Sequence, residues 1–343
     1  MWGSHWTMAL EKQGIPGVFI VDEPFQADVQ ITCEKEGMSQ LRRVVVPHPC
    51  GDVTDEQLPG FITQLAGALT RPLTGDEMNP SAKRIETAPR VAFRGTVSDI
   101  DRFFSKRGWS DGLPIIPPTE RAVAQMLTGT KRGAQEIVSD NMYPESLTVT
   151  VENVAIVGVM AGCEPSYMPV LLSIIDAMNV EWYSSTVRST SSFSLAILVN
   201  GPIARQIGMN CGMNALGSGT GNKANATIGR FLRLALICLG GSRTGISDLS
   251  SIGNPSKFSF AFAENEVASP WEPYHVSAGY GADESVVTLM SGGWSFVSPF
   301  ARLIDDIDRG LDSMASAIAH FELPNGALLV MDPMAANKLA AAL

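Results

Sequence analysis

The sequence predicts an α/β protein in two parts: a partial small parallel α/β domain, then a larger mixed α/β (α+β) domain. Three observations predict it. Strand-like and helix-like segments alternate through residues 1–70, and strand–helix–strand–helix order implies parallel pairing with right-handed crossovers. Residues 71–92, RPLTGDEMNPSAKRIETAPRVA, carry three prolines and no apolar period, as a linker does. Strands and helices then mix over 93–343, and a chain of 343 residues has room for two domains.

The first part reads as follows. His5 to Gln13 is a helix feeding a buried strand, Ile15 to Val21. The Gly3–Ser4 pair before it suits a tight turn or a helix N-terminus. PFQADVQITCEKEGM is a helix, with Pro24 in its first turn and Gly37 near its end. LRRVVVPHP is a second strand, stopped by Pro47 and Pro49. TDEQLPGFITQLAGALT is a helix with Thr54 as N-cap and Gln57 three residues on, a capping box. Two strands are too few for a doubly wound sheet, so residues 1–70 are expected to be the back half of a domain that lacks its first strand.

In the second part, TVSDIDRFFSKRGW is a short amphipathic helix and SDGLPIIPPT an extended loop. ERAVAQML is a helix, LTVTVENVAIVGVMAG a strand region, and PSYMPVLLSIIDAM a helix entered through prolines. SFSLAILVNGP is a buried strand. NATIGRFLRLALICLGG is a helix, because Ile228, Leu232, Ala235 and Leu239 recur at helical spacing. KFSFAFAENE alternates with period two, ESVVTLM is a strand, PFARLIDDIDRGLDSMASAIAHF a helix and GALLVMDP a strand. A last helix begins at Met334 and ends in NKLAAAL, without cap or polar exit, so a shortened C-terminus is expected as well.

Composition narrows the function classes. Apolar content of 45% with 17% charged residues describes a packed core, not disorder. A net charge of −10 leaves no surplus of Lys and Arg for phosphates, which argues against a nucleic-acid partner. The cysteines (Cys33, Cys50, Cys163, Cys211 and Cys238) are odd in number and form no CxxC pair. With no secretory leader before them, they predict reduced thiols in a cytoplasm. No apolar run reaches 18 residues, so no membrane span is expected.

Several segments could carry chemistry. Cys163, in VGVMAGCEPSYMP, falls between an apolar segment read as a strand and a helix start. A strand's carboxyl end is a ligand position, and a helix N-terminus favours thiolate. Glu164 is then a neighbouring acid or base. The competing reading is a buried, inert cysteine. The loop GMNCGMNALGSGTGNKANATIGR could present backbone N–H groups to an anion at a helix N-terminus, with Asn222, Asn225 and Arg230 aimed at it. It contains neither a Walker sequence nor a dinucleotide fingerprint. The alternative is an ordinary connection with Asn222 as a helix cap. In AENEVASPWEPYHV, Glu264, Glu266, Glu272 and His275 fall close together. Pro270 and Pro273 speak against a helix there, while Glu264 and Glu266 would share one strand face. They could bind a metal or do acid–base work, and a solvated strand end is the preferred reading over a metal site. Trp109 and Asp111 lie in a loop that is a lid or a rigid surface segment. His48 and Cys50, in PHPCGD, end the second strand, and Cys50 is the second candidate thiol. His320, near a helix end, reads as a favourable C-terminal charge.

ALEKQGIPGVFIVDEPF followed by LRRVVVPHPCGD resembles the proteins named for a UGSC motif, selenocysteine-Gly-Ser-Cys or its form with cysteine in first place. RGWSDGLPIIPPT, MAGCEPSYMPV, GNKANATIGR and ENEVASPWEPYHV resemble the large domain of that family's long members. The likeness spans nearly the whole chain. It implies redox or nucleophilic selenol or thiol chemistry, distantly like that of the glycine reductase selenoprotein subunits, and a redox protein partner fits such chemistry. Aligned on ALEKQGIP, the family motif falls on Trp2, Gly3, Ser4 and His5. Gly3 and Ser4 match. Trp2 stands where selenocysteine would stand, and His5 where the resolving cysteine would. The selenocysteine codon UGA lies one base from the Trp codon, so Trp2 is expected to mark a misread selenocysteine. An ordinary Trp codon would refute this. His5 leaves no resolving thiol, so a selenol at residue 2 could attack but could not close a ring with residue 5.

The resulting expectation is a cytoplasmic thiol- or selenol-dependent oxidoreductase or nucleophilic enzyme acting on a small anionic substrate. Its catalytic positions would be Trp2, Gly3, Ser4, His5, Cys163 and Glu164. Asn222, Asn225, Arg230, Glu264, Glu266 and His275 would bind substrate. No cofactor is expected, and apolar helices allow a homo-oligomer. The alternatives are a metal-assisted hydrolase or lyase using Glu264, Glu266 and His275, and a non-catalytic binding protein.

Overall fold

The computed structural model describes residues 2–78, 90–180, 183–294, 306–319 and 328–342. The chain begins with α1 (Trp2–Lys12), which starts earlier than the sequence suggested, so residues 2–5 form its first turn. Gly3 permits this, because a Cβ there would collide with the Phe19 ring. β1 (Phe19–Asp22), α2 (Gln26–Lys35) and β2 (Arg43–Val46) follow. The two strands pair in parallel from Phe19↔Arg43 to Asp22↔Val46, as the alternation implies. Met8, Val21, Val29, Cys33 and Leu41 form their core.

α3 (Leu58–Thr70) begins four residues later than its expected cap. The Gln57 side chain instead accepts a hydrogen bond from the Thr54 backbone N–H at 3.0 Å, closing a turn ahead of the helix. The short α4 (Gly75–Met78) lies in the stretch expected as linker, yet it folds back on β2. Arg42, next to β2 and buried, is the reason. Its Nε and Nη2 donate to the two carboxylate oxygens of Glu77, each at 3.1 Å. Its remaining donors reach the carbonyls of Ala68, Arg71 and Pro72.

The larger unit opens with α5 (Val97–Lys106) and α6 (Glu120–Leu127), capped by Thr96 and Thr119. β3 (Ile137–Met142), absent from the sequence reading, pairs antiparallel with β4 (Leu147–Thr150). The rest of the expected strand region is a helix, α7 (Val151–Ala161). A capping box of Thr150 and Asn153 starts it, and Gly162 ends it at φ +91°. Its residues are buried almost all round, so no polar face marks a helical period. α8 (Met168–Ala177), α9 (Tyr183–Val187), β5 (Ser194–Asn200), α10 (Pro202–Gln206) and α11 (Lys223–Cys238) come next. β6 (Ala261–Ala263) is shorter than the period-two run predicts. α12 (Tyr274–Ser277) is a single turn directly after Pro273, where prolines were expected to exclude a helix. β7 (Val286–Gly292) completes a three-stranded sheet in the order β6-β5-β7. β5 runs parallel to β6 and antiparallel to β7, so the sheet is mixed.

α8 packs on β7 and α11 on β6, α7 packs against both helices, and all three join the main core. Ala196, Leu198, Phe260 and Phe262 form a smaller cluster with Trp294 and Leu328. α13 (Ile307–Ile318) and α14 (Pro333–Ala342) pack on each other through Met314 and Ala335. The expected strand GALLVMDP is not one over Leu328–Asp332, and its earlier residues, like His320, lie outside the described residues. The class is α/β with small sheets, as predicted.

Arg42 and then Arg71 hold the Glu77 carboxyl well below the usual carboxylate range. A carboxyl depressed on folding lends stability above its unfolded pKa, and that stability is lost as pH falls through its folded value. Glu77→Gln is therefore expected to weaken the docking of α3 and α4 by about 2 kcal/mol at neutral pH. It should also flatten the acid limb of a denaturation-versus-pH series. An unchanged acid limb would place that titration elsewhere.

Candidate functional site

The carboxyl ends of β1 and β2 bring together groups from two separate sequence segments. Asp22 is the last residue of β1, and His48 follows β2 after Pro47. Asp22 Oδ2 lies 2.9 Å from His48 Nδ1, and Phe25 stands edge-on to the imidazole at 6.1 Å. His48 is partly open to solvent, and Cys50, two residues on, is exposed. The sequence reading found His48 and Cys50 but missed Asp22. The available signal was the parallel register, which sets Asp22 beside Val46, two residues before His48.

The motif turn packs on the start of β1. Thr7 of α1 lies against Gly17 and Gly3 against Phe19, so the helix runs antiparallel to β1. Its N-terminus therefore points toward the strands' carboxyl ends. Ser4 is fully buried, and Thr7 Oγ1 donates to the Gly3 carbonyl at 2.7 Å. Gly3 and Ser4 thus serve close packing of α1, while His5 is half-buried.

Cys163 does not have the expected setting. It follows the C-terminus of α7, not a strand. Its thiol donates to the Thr227 carbonyl at 3.4 Å, and burial pushes its pKa up to about 12. A thiol so placed stays protonated and is a poor nucleophile. Glu164 is turned to Lys223, with which it forms an exposed ion pair.

The Gly/Asn loop is also organised inward. Asn222 Nδ2 donates to the carbonyls of Asn214 and Gly217 at 2.6 and 2.9 Å, and its Oδ1 accepts from Asn210 Nδ2 at 2.6 Å. It makes no side-chain cap bond at the start of α11. Asn225 Nδ2 donates to the carbonyls of Asn210 and Ala215, and its Oδ1 accepts from the Asn210 N–H. Arg230, expected to meet an anionic ligand, meets Asp111 instead. Nε and Nη2 donate to the two Asp111 oxygens at 2.7 and 3.0 Å, and Nη2 also reaches the carbonyls of Leu113 and Pro114. These three residues fasten loops to α11, and the amide donors of both asparagines are spent. Asp111 belongs to this clasp, and Trp109 packs edge-on against Phe103 and Phe104.

The Glu–His segment does converge, just past the parallel ends of β5 and β6. Asn200 Nδ2 donates to Glu264 Oε2 at 2.6 Å and to Glu266 Oε1 at 3.2 Å. The Gly201 and Tyr274 N–H groups add bonds to Glu266 and Glu264, at 2.6 and 2.9 Å. His275 is 1% exposed, its Nδ1 is 3.9 Å from Glu266 Oε1, and neither ring nitrogen has a hydrogen-bond partner. Asn200 Oδ1 is likewise buried without a partner. Glu264 and Glu266 lie beyond the strand yet reach the same neighbour, and Asn200 is the member that sequence spacing did not reveal. Among the described residues, no three His, Cys, Asp or Glu side chains are gathered to hold a metal ion. All five cysteines are free, and among the described residues no helix is long and apolar enough to cross a membrane.

Two outcomes follow from this geometry. In native protein, iodoacetamide at mildly alkaline pH should label Cys50 rapidly and leave Cys163 unlabelled until denaturant is added, as read by peptide mass spectrometry. Arg230→Gln should cost about 3 kcal/mol by stranding the buried Asp111 carboxylate. Its effect should appear in denaturant unfolding and in faster hydrogen exchange of the 111–115 loop.

No curated protein and no solved structure matches the chain. A family model does match, over residues 4–75, and it is that of the UGSC family. The matched span holds Ser4, the Asp22–His48 pair, Cys50 and most of the Arg42 clasp. The N-terminal unit of this chain is therefore a UGSC-family domain.

Proposed function

We propose that the chain is a thiol- or selenol-dependent enzyme whose proton-transfer group is His48, oriented by Asp22. The observation that carries this reading is the 2.9 Å Asp22–His48 contact at the carboxyl ends of parallel strands. A carboxylate on Nδ1 fixes the ring and leaves Nε2 to move a proton, which is the arrangement an activated nucleophile needs. Cys50 is the exposed thiol two residues on, whereas Cys33 is sealed in the core. The thiol proton passes to His48 and sulfur bonds to an electrophilic atom of a small substrate. The bond to the leaving group breaks, and His48 returns the proton to that group. Where residue 2 is read as selenocysteine, its selenol takes the same role from the first turn of α1.

The test is the alkylation rate of Cys50 at neutral pH. His48→Gln should slow it about tenfold or more, and Asp22→Asn by a smaller factor. Equal rates in all three proteins would defeat this reading and favour a non-catalytic binding protein.

A second reading, an acid–base hydrolase or lyase, is favoured by one observation. His275 and Asn200 keep buried polar atoms without partners beside two carboxylates at the ends of β5 and β6. Buried groups of this kind commonly find partners in a bound molecule or an ordered water. This chemistry would run through Glu266 and His275, and Glu266→Gln would leave Cys50 alkylation unchanged.

A further inference from the structure

The N-terminal unit leaves an apolar face uncovered. α3 carries Leu58, Ile62, Leu65 and Leu69 at i, i+4, i+7 and i+11, one stripe along the helix. Spacings of four, three and four make the seam by which one helix meets another. The most covered line of α3 is Phe61, Leu65 and Ala68, which are only half-buried, and no residue of the helix is fully buried. Ile62 is 60% exposed, and Leu58, Leu69 and Leu73 are exposed as well.

The sheet is bare on the same side. Arg42 reaches the carbonyls of Ala68, Arg71 and Pro72, so α3 lies on the face that Arg42 shares with Val44 and Val46. Ile20 is the register partner of Val44 and belongs to that face too. α3 packs on β2, where Val44 is 3% exposed, whereas Ile20 of β1 is 51% exposed. Ile20, Leu58, Ile62, Leu69 and Leu73 leave on the order of 500 Å² of apolar side chain open here, and a homodimer face of about 800 Å² per partner, about two-thirds apolar, needs that much.

We infer that this face is a dimer interface, covered by α3 of a second copy of the chain. The two α3 helices run antiparallel across a two-fold axis, so each stripe from Leu58 to Leu69 meets its own copy. Asp55 and Glu56 precede α3 and Arg71 follows it, so antiparallel pairing also sets opposite charges together and opposes the helix dipoles. The second helix lies over β1 beside α3 and buries Ile20. Asp22 follows Ile20 by two residues on the same strand face, so the interface borders the Asp22–His48 pair. The inference does not depend on the chemistry of that pair.

The test is sedimentation of the full chain over a micromolar concentration series. Wild type should run at twice the chain mass. Ile62→Glu places a carboxylate in each half of the seam and should weaken the dimer at least about a hundredfold, while its far-ultraviolet circular dichroism stays that of wild type, because Ile62 is exposed in the single chain. Photo-crosslinking decides the occupant even if that variant fails to fold. A benzoylphenylalanine placed at Ile62, in a mixture of ¹⁴N and ¹⁵N protein, should give crosslinks between light and heavy chains that map to residues 58–70. A monomer at every concentration, or a folded Ile62→Glu protein that dimerises like wild type, would overturn the inference. So would crosslinks confined to one chain, which would make its own larger unit the cover, or crosslinks between chains that map elsewhere.

Discussion

The larger unit depends on one constraint, the complete burial of β5. All seven of its residues are buried, from Ser194 to Asn200. A strand in that position must have its backbone groups paired, because unpaired ones would be costly away from water. β6 pairs along one side and β7 along the other, and α7, α8 and α11 close the core. The polar side chains at its two ends follow from that placement. Asn200 emerges between Glu264 and Glu266 at the carboxyl end, and Ser194 buries a hydroxyl without a hydrogen-bond partner at the amino end. A polar residue at either end of such a strand needs a partner that the strand itself cannot supply.

This placement also shows what the sequence could reveal. The N-terminal alternation was legible because each strand and helix there is short, and prolines punctuate it. α7 was not legible, since a helix buried on every side loses the polar stripe that betrays its period, and its valines read as strand. The start of α1 was obscured because Gly3 and Ser4 suggest a turn. In the fold Gly3 is there to let the helix approach Phe19.

The site residues divide in the same way. Glu264, Glu266 and His275 were visible as a cluster because they are close in sequence. Asn200 was hidden 64 residues before Glu264. Arg230 was misjudged because its partner Asp111 is 119 residues away. Asn222 and Asn225 look like donors awaiting a ligand, yet a loop rich in glycine has few side chains to fasten it. Its own asparagines must satisfy the loop carbonyls. Cys163 was judged from an assumed strand, and once α7 replaces that strand, no ligand position remains at that point.

Three buried or largely buried arginines show how far this logic reaches. Arg42 is satisfied by Glu77 and three carbonyls, and Arg230 by Asp111 and two carbonyls. Both are clasps, because a carboxylate and backbone carbonyls of the same chain hold each guanidinium. Arg233 makes one bond, to the Asp248 carboxylate that Lys257 also holds. A charged donor left short of acceptors away from water is costly, so the N–H groups that a guanidinium does not spend within the chain must reach solvent. The same comparison separates fastening residues from binding residues throughout this fold. The amides of Asn222 and Asn225 are closed on their own loop, while Ser194, Asn200 and His275 keep buried polar atoms open.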